Sequence, residues 1–265
     1  MFNFLRTKNL DTLEVLQAEQ ATATFPAHFH ETFCISLIEQ GTFIENDTIA
    51  TQNSLLISHP LEVHQNKTLL DGYYSLKTLY VSPDMLAHQG FALSDLQFSK
   101  IIDNPATVQQ FRRLLKQFSN YAISTKDSLF EQSLFRFLAN LGTFRQSRND
   151  LSEVPAWIED VKLHITNFID QKIQLITLAK LAGQDKYQFI RNFKKYVGLT
   201  PFQFIILQRV LRGKKMLQTE MPIVDTALDT GFYDQSNFTN YFRRYLGTTP
   251  SSYQRSCNIF QEEER

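Results

Sequence analysis

Three histidines in the N-terminal part of the chain have a spacing that could serve metal chemistry or a polar pocket. His28 and His30 are two residues apart, and His64 follows at the end of the segment Pro60-Leu61-Glu62-Val63-His64. Imidazole nitrogens suit transition-metal ions, and a carboxylate often completes such a set of ligands. The three histidines therefore raise the question of whether this region binds a metal ion.

The sequence gives no carboxylate at the place where a catalytic metal site would need one. Cys34 and Ile35 stand where it would be expected, and Glu31 directly follows His30, so its side chain should point to the other face of the strand. We therefore expect the histidines to line a pocket and predict no metal, no cofactor and no catalytic residue. A metalloenzyme fused to a nucleic-acid-binding module, with the three histidines as ligands, is the alternative function.

A second set of chemistry-bearing residues lies in a segment that occurs twice. Residues 189–201 return as residues 238–250 at an offset of 49, and Ala179 and Gly183 return as Ala227 and Gly231 at an offset of 48. A repeat of this period is one supersecondary unit used twice. Each copy has an apolar helix, a turn with glycine and a second helix rich in Phe, Tyr and basic residues, which is the order of a helix-turn-helix.

The second helix of each copy is the candidate reading helix. Its two phenylalanines, four residues apart, should be buried and leave the opposite face for DNA. Arg191 could pair with guanine and Gln235 or Asn240 with adenine, whereas basic residues near the helix ends suit phosphates. Solvated helix charges are the alternative interpretation. The candidate DNA-binding residues are Lys186, Tyr187, Ile190, Arg191, Lys194, Lys195, Gln235, Ser236, Thr239, Asn240, Arg243 and Arg244.

The charge is divided unevenly along a chain of zero net charge. Residues 155–255 hold 14 Lys and Arg against 8 Asp and Glu, whereas residues 1–154 hold 12 against 16. A basic C-terminal part beside an acidic N-terminal part is the electrostatic pattern of a phosphate-binding domain joined to another domain. Together with the repeat, it favours DNA as the partner.

The segment Gly231-Phe232-Tyr233-Asp234-Gln235-Ser236-Asn237-Phe238, followed by Phe242-Arg243-Arg244-Tyr245-Leu246-Gly247-Thr248-Thr249-Pro250, resembles the DNA-binding domain of the AraC/XylS family of bacterial transcription regulators. The resemblance covers the last two-fifths of the chain. It implies two helix-turn-helix units joined by a long helix, promoter DNA as the partner and contact with RNA polymerase. Gly213 departs from it, since the family usually has alanine there, and we expect a less rigid linking helix because glycine costs about 0.5–1 kcal/mol.

Short β-branched or aromatic segments separated by turn residues occupy residues 18–82, which predicts a small barrel or sandwich. With its histidines and Gly41, this region resembles the cupin-type sensor domain that commonly precedes the DNA-binding half in this family. We expect an unidentified small-molecule effector in the mouth of the barrel, although an aromatic stripe of period two is also typical of plain core. The candidate effector-binding residues are His28, His30, Phe33, Ile35, Leu37, Phe43, His64, Tyr74, Leu76 and Tyr80.

Two helices are predicted between residues 105 and 146. One apolar stripe is expected on Val108, Phe111, Leu114, Leu115 and Phe118, and a second on Leu129, Leu134, Phe135, Leu138 and Leu141. The resemblance implies that this pair forms a homodimer contact, and packing within the domain is the alternative.

The fold class we predict is α+β with two domains: a cupin-like β-barrel or jelly roll with trailing helices, then an all-α domain with two helix-turn-helix motifs. The predicted boundaries are a sensor domain at 1–146, a linker at 147–154, a DNA-binding domain at 155–255 and an acidic tail at 256–265. No apolar run reaches the roughly 20 residues of a membrane span, and Met1-Phe2-Asn3-Phe4-Leu5-Arg6 lacks the profile of a signal peptide. We expect a bacterial cytoplasmic, effector-modulated transcription regulator; an architectural DNA binder without an effector is a third alternative.

Overall fold

The computed structural model describes residues 2–6, 13–69, 72–91, 96, 98–121, 128–141 and 154–258. Contacts between Cα atoms divide the chain into two compact units, one holding nearly all residues up to 147 and the other nearly all from 148 to 254. The predicted linker lies outside the described residues except for Val154, and so does the predicted acidic tail beyond Asn258. Among the described helices, none is both long and apolar enough for a membrane span.

The N-terminal part is an antiparallel β-sheet domain followed by helices. Its described strands are β1 (Phe2–Arg6), β2 (Leu13–Ala21), β3 (Phe25–His28), β4 (Phe33–Glu45), β5 (Thr48–Thr51), β6 (Leu55–Ser58), β7 (His64–Lys67), β8 (Tyr74–Val81) and β9 (Ile101–Ile102). Its described helices are α1 (Pro83–His88), α2 (Pro105–Tyr121) and α3 (Ser128–Asn140). The main path of the sheet runs β1-β2-β8-β4-β6-β9, and β3 joins it through β7.

Strand β4 connects two parts of this sheet. Its first half pairs antiparallel with β8 and β6, whereas residues 42–45 pair with β5 and the last two residues with β7. The change coincides with a register shift between Ile38 and Gln40 and with Gly41 at a φ of 72°. A Cβ on Gly41 would overlap the carbonyl oxygen of Tyr73, so glycine allows the strand to change partners here.

The two faces of the sheet bury different clusters of side chains. Phe33, Ile35 and Leu37 pack with α1, α2 and α3 in the larger cluster. Phe43, Tyr74 and Leu76 lie in a second cluster with Ala18, Ile38 and Leu56. These six candidate effector-binding residues therefore do not share one face of the sheet, because successive strand residues point to opposite faces and the bulge in β4 reverses the alternation.

Helices α2 and α3 use their apolar stripes within the domain. All five residues of the stripe predicted on α2 are buried in the larger cluster. On α3, Leu134 and Leu138 are buried there, but Leu129 is 64% exposed and Phe130 and Phe137 are buried instead. Packing against the sheet therefore accounts for these stripes, and a homodimer contact through this region stays a prediction.

From residue 154 onward the described chain is helical. Its helices are α4 (Ala156–Asn167), α5 (Leu175–Leu181), α6 (Lys186–Val197), α7 (Pro201–Leu217), α8 (Ile223–Asp229), α9 (Gln235–Leu246) and α10 (Pro250–Asn258). The repeat is confirmed as two helix-turn-helix units, α5 with α6 and α8 with α9. Helix α7 links them and contacts α6, α8 and α9.

Candidate nucleic-acid interface and histidine cluster

The helices α6 and α9 begin and end with the same local chemistry. The Asp185 side chain accepts hydrogen bonds from the backbone N–H groups of Tyr187 and Gln188 at 2.9 and 3.0 Å, and Asp234 accepts one from Asn237 at 2.7 Å. Each helix stops at a left-handed glycine, Gly198 or Gly247. These caps fix the first and last turn of each helix.

Replacing Asp185 by alanine is expected to lower the free energy of unfolding of the C-terminal domain by about 1 kcal/mol, because two N–H groups of α6 lose their acceptor. Asp185→Asn should retain most of this stability. Trp157, the single tryptophan of the chain, packs against Phe189 of α6 with ring centroids 5.9 Å apart, so its fluorescence during urea unfolding reports on this helix. Equal stability of the alanine and asparagine variants would contradict the role of the cap.

The two reading helices present comparable exposed faces. Phe189, Phe193, Phe238 and Phe242 are fully buried, as the four-residue spacing predicts. Of the twelve candidate DNA-binding residues, ten are exposed, while Ile190 and Thr239 are half-buried. None of the twelve side chains is buried in the core, so this surface is available to a nucleic acid.

The histidine cluster lies at the β3 and β7 strands of the N-terminal sheet. One ring nitrogen of each of His28, His30 and His64 lies within 4.8 Å of one nitrogen of each of the others. His28 and His64 are buried, and His30 is half-buried in the connection after β3 rather than on the same strand as His28. The Tyr80 ring packs 5.3 Å from that of His30, and burial raises the pKa of Tyr80 well above its usual range.

A carboxylate does lie beside the cluster, although far from the position expected for it in the sequence. Glu45, at the end of β4, is 3% exposed, and its Oε2 is 3.7 Å from Nε2 of His64. Its oxygens accept hydrogen bonds from Ser58 and Asn66 and pair with Lys100. The sequence pattern does not place Glu45 here, because a strict alternation of side chains along β4 puts Glu45 and Cys34 on opposite faces of the sheet. The bulge after Ile38 reverses this alternation.

Lys100 ties this carboxylate to a second one. Its Nζ is 2.5 Å from Glu45 and 2.6 Å from Glu62. Burial alone would raise the pKa of Glu62, but hydrogen bonds with His59 and Lys100 outweigh it and lower that pKa to about 2. The pKa of Lys100 is raised, since the attraction of Glu45 and Glu62 exceeds the cost of burial. The region beside the histidines is therefore charged as well as polar.

Two family models match complementary parts of the chain. The AraC-like ligand binding domain matches residues 12–139, and a helix-turn-helix domain matches residues 178–256. The regulatory protein SoxS of Escherichia coli is 35% identical over 97 residues, which is 36% of this chain and 91% of SoxS. The chain belongs to the AraC/XylS family of bacterial transcription regulators. It is a transcription regulator with an AraC-like ligand-binding domain and a helix-turn-helix DNA-binding domain.

Two further proteins are similar to the chain over nearly its whole length. The HTH-type transcriptional regulator YbfI of Bacillus subtilis is 27% identical over 259 residues, covering 89% of this chain and 90% of YbfI. In structure, ToxT of Vibrio cholerae in an apo form has a TM-score of 0.62 at 14% identity, covering 95% of this chain and 100% of ToxT. This similarity confirms the two-domain fold predicted from the sequence.

Arg209 of α7 joins the segment between α4 and α5 to the second helix-turn-helix unit of this AraC-family regulator. Its guanidinium donates to the backbone carbonyls of Ile169 at 2.9 Å, Gln171 at 2.7 Å and Gly231 at 2.5 Å. The first two carbonyls follow α4, and the third lies in the turn between α8 and α9. Arg209 therefore connects the chain that follows α4 to the turn between α8 and α9.

Packing explains the glycine at position 213, whereas the sequence suggested a more flexible helix there. A Cβ at this position would lie 2.7 and 2.9 Å from Cε2 and Cζ of Phe238. Phe238 is fully buried between Phe232 and Phe242. In this member of the AraC/XylS family, the absent side chain therefore makes room for the ring of the second reading helix.

Proposed function

We propose that this regulator reads a bipartite promoter site by placing α6 and α9 in successive major grooves. The observation that carries the proposal is the pair of capped helices with matching exposed faces, both in contact with the one linking helix α7. Successive major grooves on one face of straight B-DNA are about 34 Å apart, and a smaller separation requires the DNA to bend.

Within this interface, the exposed side chains divide by the chemistry they offer. Arg191 on α6 and Gln235 and Asn240 on α9 can make bidentate contacts to base edges. Lys194 and Lys195 lie in the last turn of α6, and Arg243 and Arg244 in that of α9, where contacts to phosphates position the protein without reading sequence. The remaining candidates complete the two faces: Lys186, Tyr187, Ile190, Ser236 and Thr239.

Replacing Arg191 by alanine is expected to weaken binding to the specific site by about 1–3 kcal/mol and to leave binding to scrambled DNA almost unchanged. Lys194→Ala, one turn further along the same helix, is the matched control and should weaken both in parallel. Fluorescence anisotropy with labelled duplexes at two salt concentrations separates these effects. An equal loss on specific and scrambled DNA for Arg191→Ala would sink the assignment of Arg191 to a base.

The N-terminal domain is the sensor in this proposal. ToxT has been solved with an unsaturated fatty acid bound, and we assign to this chain a small ligand beside the buried polar residues around the histidine cluster. His28, His30, His64 and Tyr80 are brought together there. Phe43, Tyr74 and Leu76 lie in the second cluster of the sheet, whereas Phe33, Ile35 and Leu37 pack under the helices. Among the candidate effector-binding residues, the three histidines and Tyr80 are therefore the best supported.

The sensor acts by binding its ligand with different affinity in two states of the regulator, since only such a difference shifts an equilibrium. A homodimer through residues 105–146 would use the outer faces of α2 and α3, because the apolar stripes are already buried. RNA polymerase is the further partner, the bacterial cytoplasm the location, and catalysis forms no part of the role. These assignments are supported by the regulatory relatives.

A further inference from the structure

We propose that Tyr233 is a further residue of the DNA interface, and that its ring packs against the methyl group of a thymine at the edge of the block read by α9. The inference rests on the proposed function and deepens it, because it adds one base position to those that the twelve candidate residues could read. It starts from a difference between the two copies of the repeat.

The turns of the two helix-turn-helix units differ in length by one residue. In the first unit, Gln184 alone separates the glycine of the turn from the aspartate that caps α6. In the second unit, Phe232 and Tyr233 both stand between the corresponding glycine and the aspartate that caps α9. One of these two residues therefore has no counterpart in the first unit.

Side-chain contacts identify Tyr233 as the additional residue. The amide oxygen of Gln184 accepts a hydrogen bond from Nδ2 of Asn192 in α6 at 2.9 Å. Tyr241 is the counterpart of Asn192 at the offset of 49, and the centroid of its ring lies 6.0 Å from that of Phe232. Phe232 thus takes the place of Gln184 in joining the turn to the reading helix, and Tyr233 is the residue that the second unit adds.

The residues on both sides of Tyr233 are held in place. The carbonyl oxygen of Gly231 accepts a hydrogen bond from Arg209, and the side chain of Phe232 is buried. On the other side, the Asp234 side chain accepts a hydrogen bond from a backbone N–H group of α9 at 2.7 Å. Because the backbone is fixed here, a contact through this tyrosine costs little conformational entropy on binding.

The side chain of Tyr233 points into solvent next to the reading helix. At 90% exposure, it is the most exposed of the large hydrophobic side chains in the described part of the chain. It directly precedes the capping residue of α9, and the N-terminal residues of a recognition helix are those that contact base edges. Gln235 and Ser236, in the first turn of α9, are exposed as well. The ring is therefore placed to be covered when α9 enters a major groove.

The chemistry of the ring indicates a thymine. A phenol ring has a large apolar surface, and removing that surface from water stabilises a complex. The apolar group that base pairs present in the major groove is the C5-methyl of thymine. A phosphate contact would use the hydroxyl alone. The ring of Tyr233 therefore favours a thymine, and a hydroxyl bond to a phosphate is the alternative that the experiment must separate.

Selection of binding sites from random DNA, with the full-length wild type and Tyr233→Ala in parallel, is the first part of the test. We expect two blocks for both proteins. The block read by α9, identified by its loss in the Gln235→Ala/Asn240→Ala variant, should have a thymine at one edge in the wild type. The alanine variant should retain the block and lose this preference.

Fluorescence anisotropy on the selected duplex is the second part. Tyr233→Ala should bind about tenfold more weakly than the wild type, because the apolar surface of the ring is no longer buried. Replacing the thymine at the edge by uracil removes only the methyl group, and it should weaken wild-type binding about fourfold, the value of one buried methyl group. The same replacement should leave Tyr233→Ala unaffected. The uracil measurement on the wild type does not depend on the folding of any variant.

Tyr233→Phe is the matched variant, because it keeps the ring and removes the hydroxyl. It should bind like the wild type and distinguish thymine from uracil to the same extent. Tyr73→Ala removes an exposed tyrosine of the N-terminal domain and should leave the motif and the affinity unchanged. Urea unfolding followed by Trp157 fluorescence should be the same for Tyr233→Ala and the wild type, since surface substitutions affect stability little.

Three results would overturn the inference and leave the proposed function intact. They are a two-block motif without a thymine at either edge of the α9 block, an unchanged thymine preference in Tyr233→Ala, and a loss of affinity in Tyr233→Phe as large as in Tyr233→Ala. The last result would assign the hydroxyl to a phosphate. A wild-type protein that enriches no two-block motif would overturn the proposed function, and this inference with it.

Discussion

Arg209→Met is expected to lower the free energy of unfolding of the C-terminal domain by about 2–4 kcal/mol, because three backbone carbonyls lose a charged donor and such hydrogen bonds contribute about 1.5–3 kcal/mol each. The partial exposure of the site places the total well below the sum of the three. Burial lowers the pKa of Arg209, and the charge of Asp170 opposes this effect. Urea unfolding followed by Trp157 fluorescence measures the loss.

The same substitution should affect DNA reading, because Arg209 ties the carbonyls that follow α4 to the turn between α8 and α9. We expect specific binding to fall more on a site with fixed spacing than on either half-site alone. Arg209→Lys should recover less than half of the stability, since one ammonium cannot span three carbonyls as a planar guanidinium does.

The control for this prediction is Arg212→Met, which removes an exposed arginine from the same helix. It should change stability by less than about 0.5 kcal/mol, as surface substitutions usually do. A loss of similar size for Arg209→Met and Arg212→Met would show that the three carbonyl contacts contribute nothing special to the domain.

Gly213→Ala is expected to destabilise the C-terminal domain by about 1–2 kcal/mol, although alanine is the better helix former. The gain in helix propensity is about 0.8–1.0 kcal/mol, whereas overpacking a filled core costs about 1–3 kcal/mol. The steric cost dominates because the ring that a Cβ would meet is fully buried and held by two other aromatic rings.

A double-mutant cycle with Phe238→Leu isolates that contact. Phe238→Leu alone should be destabilising through the cavity that it leaves, and the double variant should be more stable than the sum of the two losses predicts, because the smaller side chain admits the new methyl group. If Gly213→Ala instead stabilises the domain by about 1 kcal/mol, as propensity alone requires, the packing explanation is wrong.

Much of the C-terminal domain could be predicted from the sequence, because its signals are local. The repeat, the aspartate caps, the glycine stops and the buried phenylalanines all depend on neighbours within a few residues. The buried face of α8 was predicted less well. Helical periodicity would place Val224 and Leu228 on the inward face with Ala227, but both are about half exposed, while Thr226 and Ala227 are buried. A seven-residue helix is too short for its periodicity to fix its orientation.

The N-terminal domain was harder to predict because its site depends on contacts between distant residues. The bulge after Ile38 and the change of partner at Gly41 decide which face Glu45 occupies, and neither is visible as a break in the apolar pattern. The argument from sequence against a metal rested on a missing carboxylate. The fold brings one beside His64 from 19 residues earlier in the chain, at the far end of β4.

The most direct test of the central claim is a selection of binding sites from random DNA with the purified full-length protein. We predict one motif with two conserved blocks about one helical turn apart, and loss of one block when Gln235 and Asn240 are replaced by alanine. The block that remains should be the one whose sequence preference is weakened by Arg191→Ala. Enrichment of a single block that survives both sets of substitutions, or of no sequence at all, would contradict the reading of DNA by α6 and α9.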